Sequence, residues 1–440
     1  MKSIDTNWQQ RWNDRLVTAA EAIGRIRPEQ RIFIGSGAAE PLALIEALCS
    51  NSDHLHGNEI VHLLTLGPAP YVAPELENRF RHTAFFIGAN VRDAVWEGRA
   101  DFMPVFLSEL PALIRGGRAP IDVALVQVSP PDDHGFCSLG VAVDIVRAAV
   151  DTARLVIAEV NEHMPRTHGD AFLHARDIDA MVHADHPLPT LDSDSPDLIA
   201  QRVGQNVATL IGDGATLQVG IGSIPDAVLG ALTGRRDLGI HTEMFSDGVM
   251  RLFEQGVVTG RKKTWCRGKI VTSFVMGSTD LYDWVDDNPA VLMLPSEVTN
   301  DPATIARNDN MVAINSALAV DLTGQVAADT VGGRFFSGIG GQVDFIRGAS
   351  RSKGGKPVIA LPSTAKKGTI SRICAQLEAG AGVVTSRGDV HYIVTEYGVA
   401  DLWGRNVRQR AEALIAIAHP DFRSDLRARA VARHYIFAET

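Results

Sequence analysis

Two stretches of the chain, "RIFIGSGAAEPLALIEAL" (31–48) and "TLQVGIGSIPDAVLGAL" (216–232), decide the fold. Each stretch has a short apolar strand pattern, a Gly-x-Gly turn, a proline and an amphipathic helix pattern. The two glycine pairs, Gly35/Gly37 and Gly220/Gly222, are offset by 220 − 35 = 185 residues. Similarity of this kind at a long spacing indicates an internal repeat.

Further pairs of similar segments follow in the same order in both halves. The segment "VALVQVSPPDDHG" (123–135) matches "VAINSALAVDLTG" (312–324), and "VDIVRAA" (143–149) matches "VDFIRGA" (343–349). The tripeptide "VIA" then recurs at 156–158 and 358–360. Short apolar strands alternate with helical patterns throughout, which is typical of the α/β class. The sequence therefore predicts two tandem, structurally related open α/β domains with mostly parallel sheets.

The junction between the halves is predicted in residues 185–205, which are rich in Pro, Asp and Ser. A helix is expected to restart there, with Ser195 as its N-cap and Pro196 at its first position. The domains are accordingly predicted at 1–190 and 191–440. The apolar face of the new helix is predicted to contain Ile199, Val203, Val207, Leu210 and Ile211.

Length, charge and cysteine usage restrict the functional classes. A chain of 440 residues exceeds a single hydrophobic core. The net charge of −10 disfavours a nucleic-acid or anionic-membrane partner. No apolar run has the roughly 18 residues that span a bilayer, and the N-terminus lacks a signal-peptide pattern. Four widely spaced cysteines are typical of a reducing compartment, so we expect a cytoplasmic protein.

Several common motifs are incomplete in this sequence. The third glycine of a dinucleotide-binding GxGxxG is replaced by Glu40 in the first half and by Pro225 in the second. The histidines between 163 and 186 have no HxxxH spacing with an intervening glutamate, so no metal site is predicted. The basic segment "GRKKTWCRGK" (260–269) suits phosphate binding, but a solvated loop is the commoner explanation.

One acid draws attention within "LGIHTEMFSDG" (238–248). A short apolar strand, expected over 238–242, leads into Glu243, and Met244 and Phe245 follow it. A carboxylate beside apolar side chains must be paired or partly desolvated. These residues alone are compatible with a structural acid and with a reactive one.

The chain resembles the acetyl-CoA hydrolase/transferase family of the class I CoA-transferases, especially its 4-hydroxybutyrate CoA-transferase branch. The resemblance covers nearly the whole chain. It rests on long motifs in order, among them "LIGDGATLQVGIGSIPDAVL", "LGIHTEMFSDGV", "NDNMVAINSALAVDLTGQV", "GIGGQVDFIRGAS" and "LPSTA".

The resemblance implies a role for each matching residue. Glu243 matches the glutamate that attacks the acyl-CoA thioester and then carries CoA as a glutamyl thioester. Asn300 matches an asparagine that helps to polarise the thioester carbonyl, and Gly341 matches a backbone glycine that serves the catalytic site and CoA. Lys366 matches a CoA-contacting lysine that the hydroxybutyrate branch can lack. The CoA-binding glycine loop matches Gly220, Ile221, Gly222, Ser223 and Ile224.

The function implied by the resemblance is CoA transfer between short-chain carboxylic acids, such as acetate with butyrate or 4-hydroxybutyrate, within acyl-CoA and fatty-acid metabolism. Acyl-CoA is then a substrate, no cofactor is tightly bound, and a homodimer or higher homo-oligomer is expected. Three alternatives remain open at this point: an acyl-CoA hydrolase, a transferase for a dicarboxylate such as succinate or itaconate, and a non-catalytic CoA-binding sensor.

Overall fold

A computed structural model describes residues 8–191 and 195–437 of the chain. The strands, in chain order, are β1 (Arg31–Ile34), β2 (Asn58–His62), β3 (Phe80–Ala84), β4 (Ala100–Phe102), β5 (Val123–Val128), β6 (Phe136–Ser138), β7 (Leu155–Asn161), β8 (Phe172–His174), β9 (Ala180–Ala184), β10 (Thr216–Val219), β11 (Gly239–Ile240), β12 (Met244–Phe245), β13 (Ile270–Thr272), β14 (Phe274–Val275), β15 (Val291–Met293), β16 (Met311–Ser316), β17 (Ala319–Asp321), β18 (Val326–Ala327), β19 (Thr330–Val331), β20 (Arg334–Phe335), β21 (Lys356–Ala360), β22 (Thr364–Ala365), β23 (Ile370–Ser371), β24 (Ile373–Cys374), β25 (Tyr392–Thr395) and β26 (Gly398–Asp401). The helices are α1 (Trp8–Arg15), α2 (Ala19–Ile23), α3 (Leu42–Ser50), α4 (Arg92–Trp96), α5 (Leu110–Arg115), α6 (Val146–Thr152), α7 (Leu198–Ala208), α8 (Ser223–Gly230), α9 (Asp247–Glu254), α10 (Thr279–Val285), α11 (Ser296–Thr299), α12 (Pro302–Ile305), α13 (Gln342–Arg351), α14 (Val407–Ile417) and α15 (Pro420–Ala432).

These elements form two compact units whose division differs from the predicted one. The first unit contains the chain up to Leu191 and also Val271–Val298, whereas the second contains the remainder. The predicted domain 191–440 was one continuous stretch, but residues 271–298 pair with the first unit. The Val143 amide donates to the Ser273 carbonyl at 2.9 Å, and the Met293 amide donates to the His168 carbonyl at 2.8 Å. Because of these backbone hydrogen bonds, residues 271–298 belong to the first unit and not to the second.

The first unit is built on a seven-stranded sheet in the order β4-β3-β2-β1-β5-β7-β9. Every pairing in this sheet is parallel. All six residues of β5 are buried, as expected for an interior strand of a parallel sheet that is covered on both faces.

The second unit is built on a six-stranded sheet in the order β11-β10-β16-β21-β25-β26. The pairings are parallel except for the terminal β25–β26 hairpin. Four of its strands reproduce four strands of the first unit, because β11-β10-β16-β21 has the arrangement of β2-β1-β5-β7. The repeated sequence pairs lie on β1 and β10, on β5 and β16, and on β7 and β21. The predicted fold class is confirmed.

The start of α7 corrects the predicted junction helix. Asp197 is the N-cap, and its carboxylate accepts from the Ala200 amide at 2.7 Å. Ser195 and Pro196 therefore precede the cap, because the Asp197 carboxylate satisfies one of the free amides of the first turn. Ile199 lies outside the buried stripe and is 41% exposed, whereas the predicted core residues Val203 and Val207 are fully buried.

Candidate active site

The predicted nucleophile lies at the carboxyl edge of the second sheet. In this sheet β10 has β11 on one side and β16 on the other. The chain leaves β10 through the glycine turn, and it leaves β11 towards Glu243. Parallel α/β sheets bind ligands at such a point, where successive connections run to opposite sides of one strand.

Glu243, Asn300 and Gly341 meet at this edge. The Asn300 side-chain amide donates to Glu243 Oε2 at 2.8 Å. A Cβ atom built on Gly341 would lie 1.9 Å from Glu243 Oε2 and 2.2 Å from Asn300 Nδ2. Since φ of Gly341 is −94°, glycine is required here by this close approach and not by backbone conformation. Asn300 is fully buried and Glu243 is partly buried.

The glycine turn after β10 is open. A Cβ atom added to Gly220 or to Gly222 would meet no described atom within 4 Å. Gly222 has φ 104° and is the N-cap of α8, so the turn exposes the first amides of a helix, a favourable place for an anion. The Val219 amide donates to the Thr242 hydroxyl oxygen at 3.3 Å, which ties this turn to the residue that precedes Glu243.

Lys366 belongs to another segment of the second unit. It is in the hairpin loop between β22 and β23, with φ 47°. It lines a cavity of about 280 Å³ whose other lining residues include Val331, Ile370 and Arg372. Glu243, Asn300 and Gly341 are absent from the described lining of this cavity. The structure thus brings three of the predicted residues into contact, and it places Lys366 in the lining of the cavity at the β22–β23 hairpin.

Two buried residues beneath the site were not identified from the sequence. His241 is fully buried, and burial lowers its pKa to about 3. Lys263 is also buried and donates to the carbonyls of Ile240 at 2.6 Å and Lys269 at 2.7 Å. Burial lowers the pKa of Lys263 to about 7.

The solvated-loop interpretation of residues 260–269 is wrong for Lys263. Its side chain turns inward because two backbone carbonyls accept its protons. The sequence of this basic segment does not distinguish a buried lysine from the basic residues around it. A buried histidine at the end of a strand is equally hard to recognise from sequence.

The described residues contain no group of three or more His, Cys, Asp or Glu side chains arranged to hold a metal ion. Within the same residues, no helix has the length and apolar character needed to cross a membrane. All four cysteines are free thiols.

Comparison with known proteins identifies the family of the chain. Residues 1–192 match the acetyl-CoA hydrolase/transferase N-terminal domain, and residues 277–430 match the corresponding C-terminal domain. A 4-hydroxybutyrate coenzyme A transferase of Clostridium kluyveri is 51% identical over 95% of this chain and 98% of its own length. A succinyl-CoA:acetate/propanoyl-CoA:succinate CoA transferase of Fasciola hepatica is 46% identical over 94% of this chain and 87% of its own.

A solved structure gives the same result. RipA from Yersinia pestis superposes with a TM-score of 0.94 at 37% identity, covering 98% of this chain and all of that one. The chain therefore belongs to the acetyl-CoA hydrolase/transferase family.

Proposed function

We propose that the protein is a CoA-transferase that moves CoA between short-chain carboxylic acids, with Glu243 as the nucleophile. The observation that carries the proposal is the contact of the Glu243 carboxylate with the Asn300 amide and the Gly341 backbone. A carboxylate kept in place by one amide and partly removed from water is preorganised for attack on a thioester.

The chemistry balances without a cofactor. A Glu243 oxygen attacks the thioester carbonyl of acyl-CoA, and the CoA thiolate leaves to give an acyl-glutamyl anhydride. The thiolate then attacks the glutamyl carbonyl, which releases the first carboxylate and leaves CoA on Glu243 as a thioester. An acceptor carboxylate reverses these steps, so that the new acyl-CoA departs and the Glu243 carboxylate is restored.

Asn300 and the Gly341 N–H are the proposed donors to the oxyanion. One such donor typically contributes about 3–4 kcal/mol to transition-state stabilisation. The open turn at Gly220–Ile224 is the proposed contact for CoA. Remote binding of this long substrate supplies energy that is expressed at the reacting centre. Lys366 is proposed as a second CoA contact, and the neighbouring Lys367 offers a matched control, because it has a similar positive φ in the same loop.

The test is to incubate the protein with acyl-CoA alone and to measure its intact mass. We expect a CoA adduct on the peptide that contains Glu243. Glu243→Gln should form no adduct, whereas Glu40→Gln, which removes an acid from the first unit, should form it normally. An adduct on another peptide would show that a different residue is the nucleophile.

The acyl specificity is proposed from the relatives. Their names include 4-hydroxybutyrate in one case, and succinate, acetate and propanoyl-CoA in the other. We propose exchange between acetate and butyrate or 4-hydroxybutyrate as the main activity, with succinate and itaconate as the competing acceptors in a panel assay. Rapid CoA release without any acceptor acid would instead favour a hydrolase.

A cytoplasmic location and a homodimer or higher homo-oligomer complete the proposal. The four free thiols support a reducing compartment. Light scattering during size-exclusion chromatography measures the oligomeric state, and a monomer at working concentrations would contradict the second part.

A further inference from the structure

We propose that His241 is a positioning residue that sets the distance between Glu243 and the Asn300 amide. The inference rests on the proposed roles of these two residues and adds a third that contacts neither the substrate nor the reacting atoms. The His241 ring contacts the segment that carries Asn300 and the helix that begins beside Gly341.

The first contact joins the Glu243 segment to the Asn300 segment. His241 is two residues before Glu243, and its Nε2–H donates to the carbonyl of Thr299 at 2.7 Å. Thr299 directly precedes Asn300. The hydrogen bond between His241 and Thr299 therefore connects the segment that carries Glu243 to the segment that carries Asn300.

The second contact reaches the helix that begins beside Gly341. The His241 ring packs edge-on against Phe345, with centroids 6.1 Å apart. Phe345 is on α13, four residues after Gly341. Trp265 also packs against the ring, with centroids 5.2 Å apart and the two ring planes tilted by 48°. The imidazole is thus confined, and the segments of Glu243, Asn300 and Gly341 all converge on it.

The hydrogen-bond partners fix the tautomer of the ring. The Thr299 carbonyl only accepts, so Nε2 carries the proton and Nδ1 accepts from the Asn308 side-chain amide at 3.2 Å. Because burial also lowers the pKa of His241 to about 3, the imidazole stays neutral at working pH. A neutral ring with both nitrogens engaged exchanges no proton with the substrate, so its role is geometric.

A core histidine that only stabilises the fold is the alternative, and two variants of His241 separate the roles. His241→Gln extends an amide to the place of Nε2 and keeps a donor for Thr299. His241→Asn is shorter, occupies the place of Nδ1 and keeps only the link to Asn308. Both are polar and buried at the same position, so they test which of the two links matters.

The decisive measurement is a double-mutant cycle on turnover, with folding checked by circular dichroism and thermal melting. We expect His241→Asn to lower kcat by about 10–100-fold with KM changed less than about threefold, since a misplacement of about 1 Å costs this much. His241→Gln should recover most of kcat. In an Asn300→Ala background, His241→Asn should cost less than about threefold, because the amide that it positions is gone.

Equal losses from His241→Asn in both backgrounds would overturn the inference, as would a folded His241→Asn protein with normal kcat. Asn308→Ala is the control for general core damage: it removes the partner of Nδ1 and should lower the melting temperature with kcat kept within about threefold. A loss of kcat in Asn308→Ala equal to that in His241→Asn would also overturn it.

If His241→Asn does not fold, Phe345→Leu tests the same ring from α13. We expect a loss in kcat of about 3–10-fold that disappears in the Asn300→Ala background, and an undiminished loss there would contradict the role. The cycle uses turnover of an acyl-CoA whichever residue is the nucleophile, whereas the CoA adduct on Glu243 tests the proposed function. A failure of the positioning role of His241 is therefore distinguishable from a failure of the proposed function.

Discussion

The turn that follows β1 and the turn that follows β10 share the Gly-x-Gly pattern but differ in their surroundings. A Cβ atom on Gly35 would lie 3.0 Å from the Ala39 carbonyl oxygen, and one on Gly37 would lie 3.3 Å from the Met276 sulfur. Added Cβ atoms at Gly220 and Gly222 meet no described atom within 4 Å. The first turn is packed within its unit, whereas the second is available to a ligand.

The same contrast extends to the neighbouring strand. Ile60 lies opposite Ile32 in the first sheet, and Ile240 lies opposite Leu217 in the second. Three residues beyond these positions, the first unit has buried Leu63 where the second has Glu243. Equivalent strands thus lead to a core residue in one unit and to the carboxylate of the proposed nucleophile in the other.

A second pair of equivalent positions also carries different residues in the two units. The repeat aligns "VDIVRAA" with "VDFIRGA", which places Val141 opposite Gly341. Val141 is fully buried, whereas the missing Cβ of Gly341 makes room for Glu243 and Asn300. The two units thus share four strands of the sheet and differ at the strand ends, where the proposed site residues of the second unit stand in place of core residues of the first.

The largest effect on kcat is expected when a side chain is added at Gly341. Gly341→Ala should lower kcat by about 10³-fold or more, because the new methyl would displace the Glu243 carboxylate and the Asn300 amide together. Steady-state kinetics with acetyl-CoA and butyrate measures this. Val141→Ala is the matched control in the first unit, where we expect about 1–3 kcal/mol of destabilisation and unchanged turnover. Normal turnover by folded Gly341→Ala would contradict the proposed site.

Asn300 gives the next largest effect. Asn300→Ala should lower kcat by about 10²–10³-fold, the usual cost of losing one oxyanion donor, and KM should rise much less. Asn300→Asp should be worse, since a second carboxylate would lie where the amide now meets Glu243 Oε2 at 2.8 Å. A purely structural asparagine predicts the reverse, with a lower melting temperature and nearly normal kcat in the folded fraction.

The two glycine turns allow a smaller, matched test. Neither Gly35 nor Gly220 has a positive φ, so alanine introduces no backbone strain at either position. Gly220→Ala should leave the melting temperature unchanged and raise KM for acyl-CoA by about 3–10-fold, because the methyl projects towards the ligand. Gly35→Ala should lower the melting temperature by a few degrees with KM unaltered. The same kinetic damage in both folded variants would remove the distinction between the turns.

The sequence predicted the parts of the molecule that follow from local periodicity and repetition. Repeated segments placed β1, β5 and β7 opposite β10, β16 and β21, because a strand with a Gly-x-Gly turn has a recognisable local pattern. The family motifs led to Glu243, Asn300 and Gly341, which the structure brings into contact. Their catalytic roles stay predictions.

What could not be predicted depends on tertiary contacts. His241 and Lys263 are polar residues that the fold buries, and their partners are backbone carbonyls that leave no trace in a sequence. Residues 271–298 join the first unit through backbone hydrogen bonds that any sequence can make. The α7 cap is Asp197 and not Ser195: both are good capping residues, and it is the Asp197 carboxylate that accepts from the Ala200 amide.

The smallest effect concerns the acid that closes the first turn. Glu40 is fully buried, its Oε1 accepts from the Gly67 amide, and its Oε2 has no hydrogen-bond partner among the described residues. Burial is the main cause that raises the pKa of Glu40 to about 7. Since this pKa is above the unfolded value of about 4.5, the stabilisation from the protonated form is complete below pH 4.5. It is lost as the pH rises to 7.

Glu40→Gln should remove this dependence, because a neutral amide replaces the carboxyl without changing its size. We compare the free energy of unfolding of the first unit in the variant with that in the unaltered protein. The advantage of the variant should grow by about 1–3 kcal/mol from pH 5 to pH 8, with kcat unchanged. Amide hydrogen exchange of the β1 and β5 peptides measures the first unit by itself, which suits a chain of two compact units. If the variant is stabilised by the same amount at pH 5 and at pH 8, the Glu40 carboxyl does not titrate between these pH values. The acid at the first turn would then not be held in its neutral form. A fall in kcat would mean that Glu40 takes part in the reaction, and the contrast between a structural acid in one unit and a reactive acid in the other would fail.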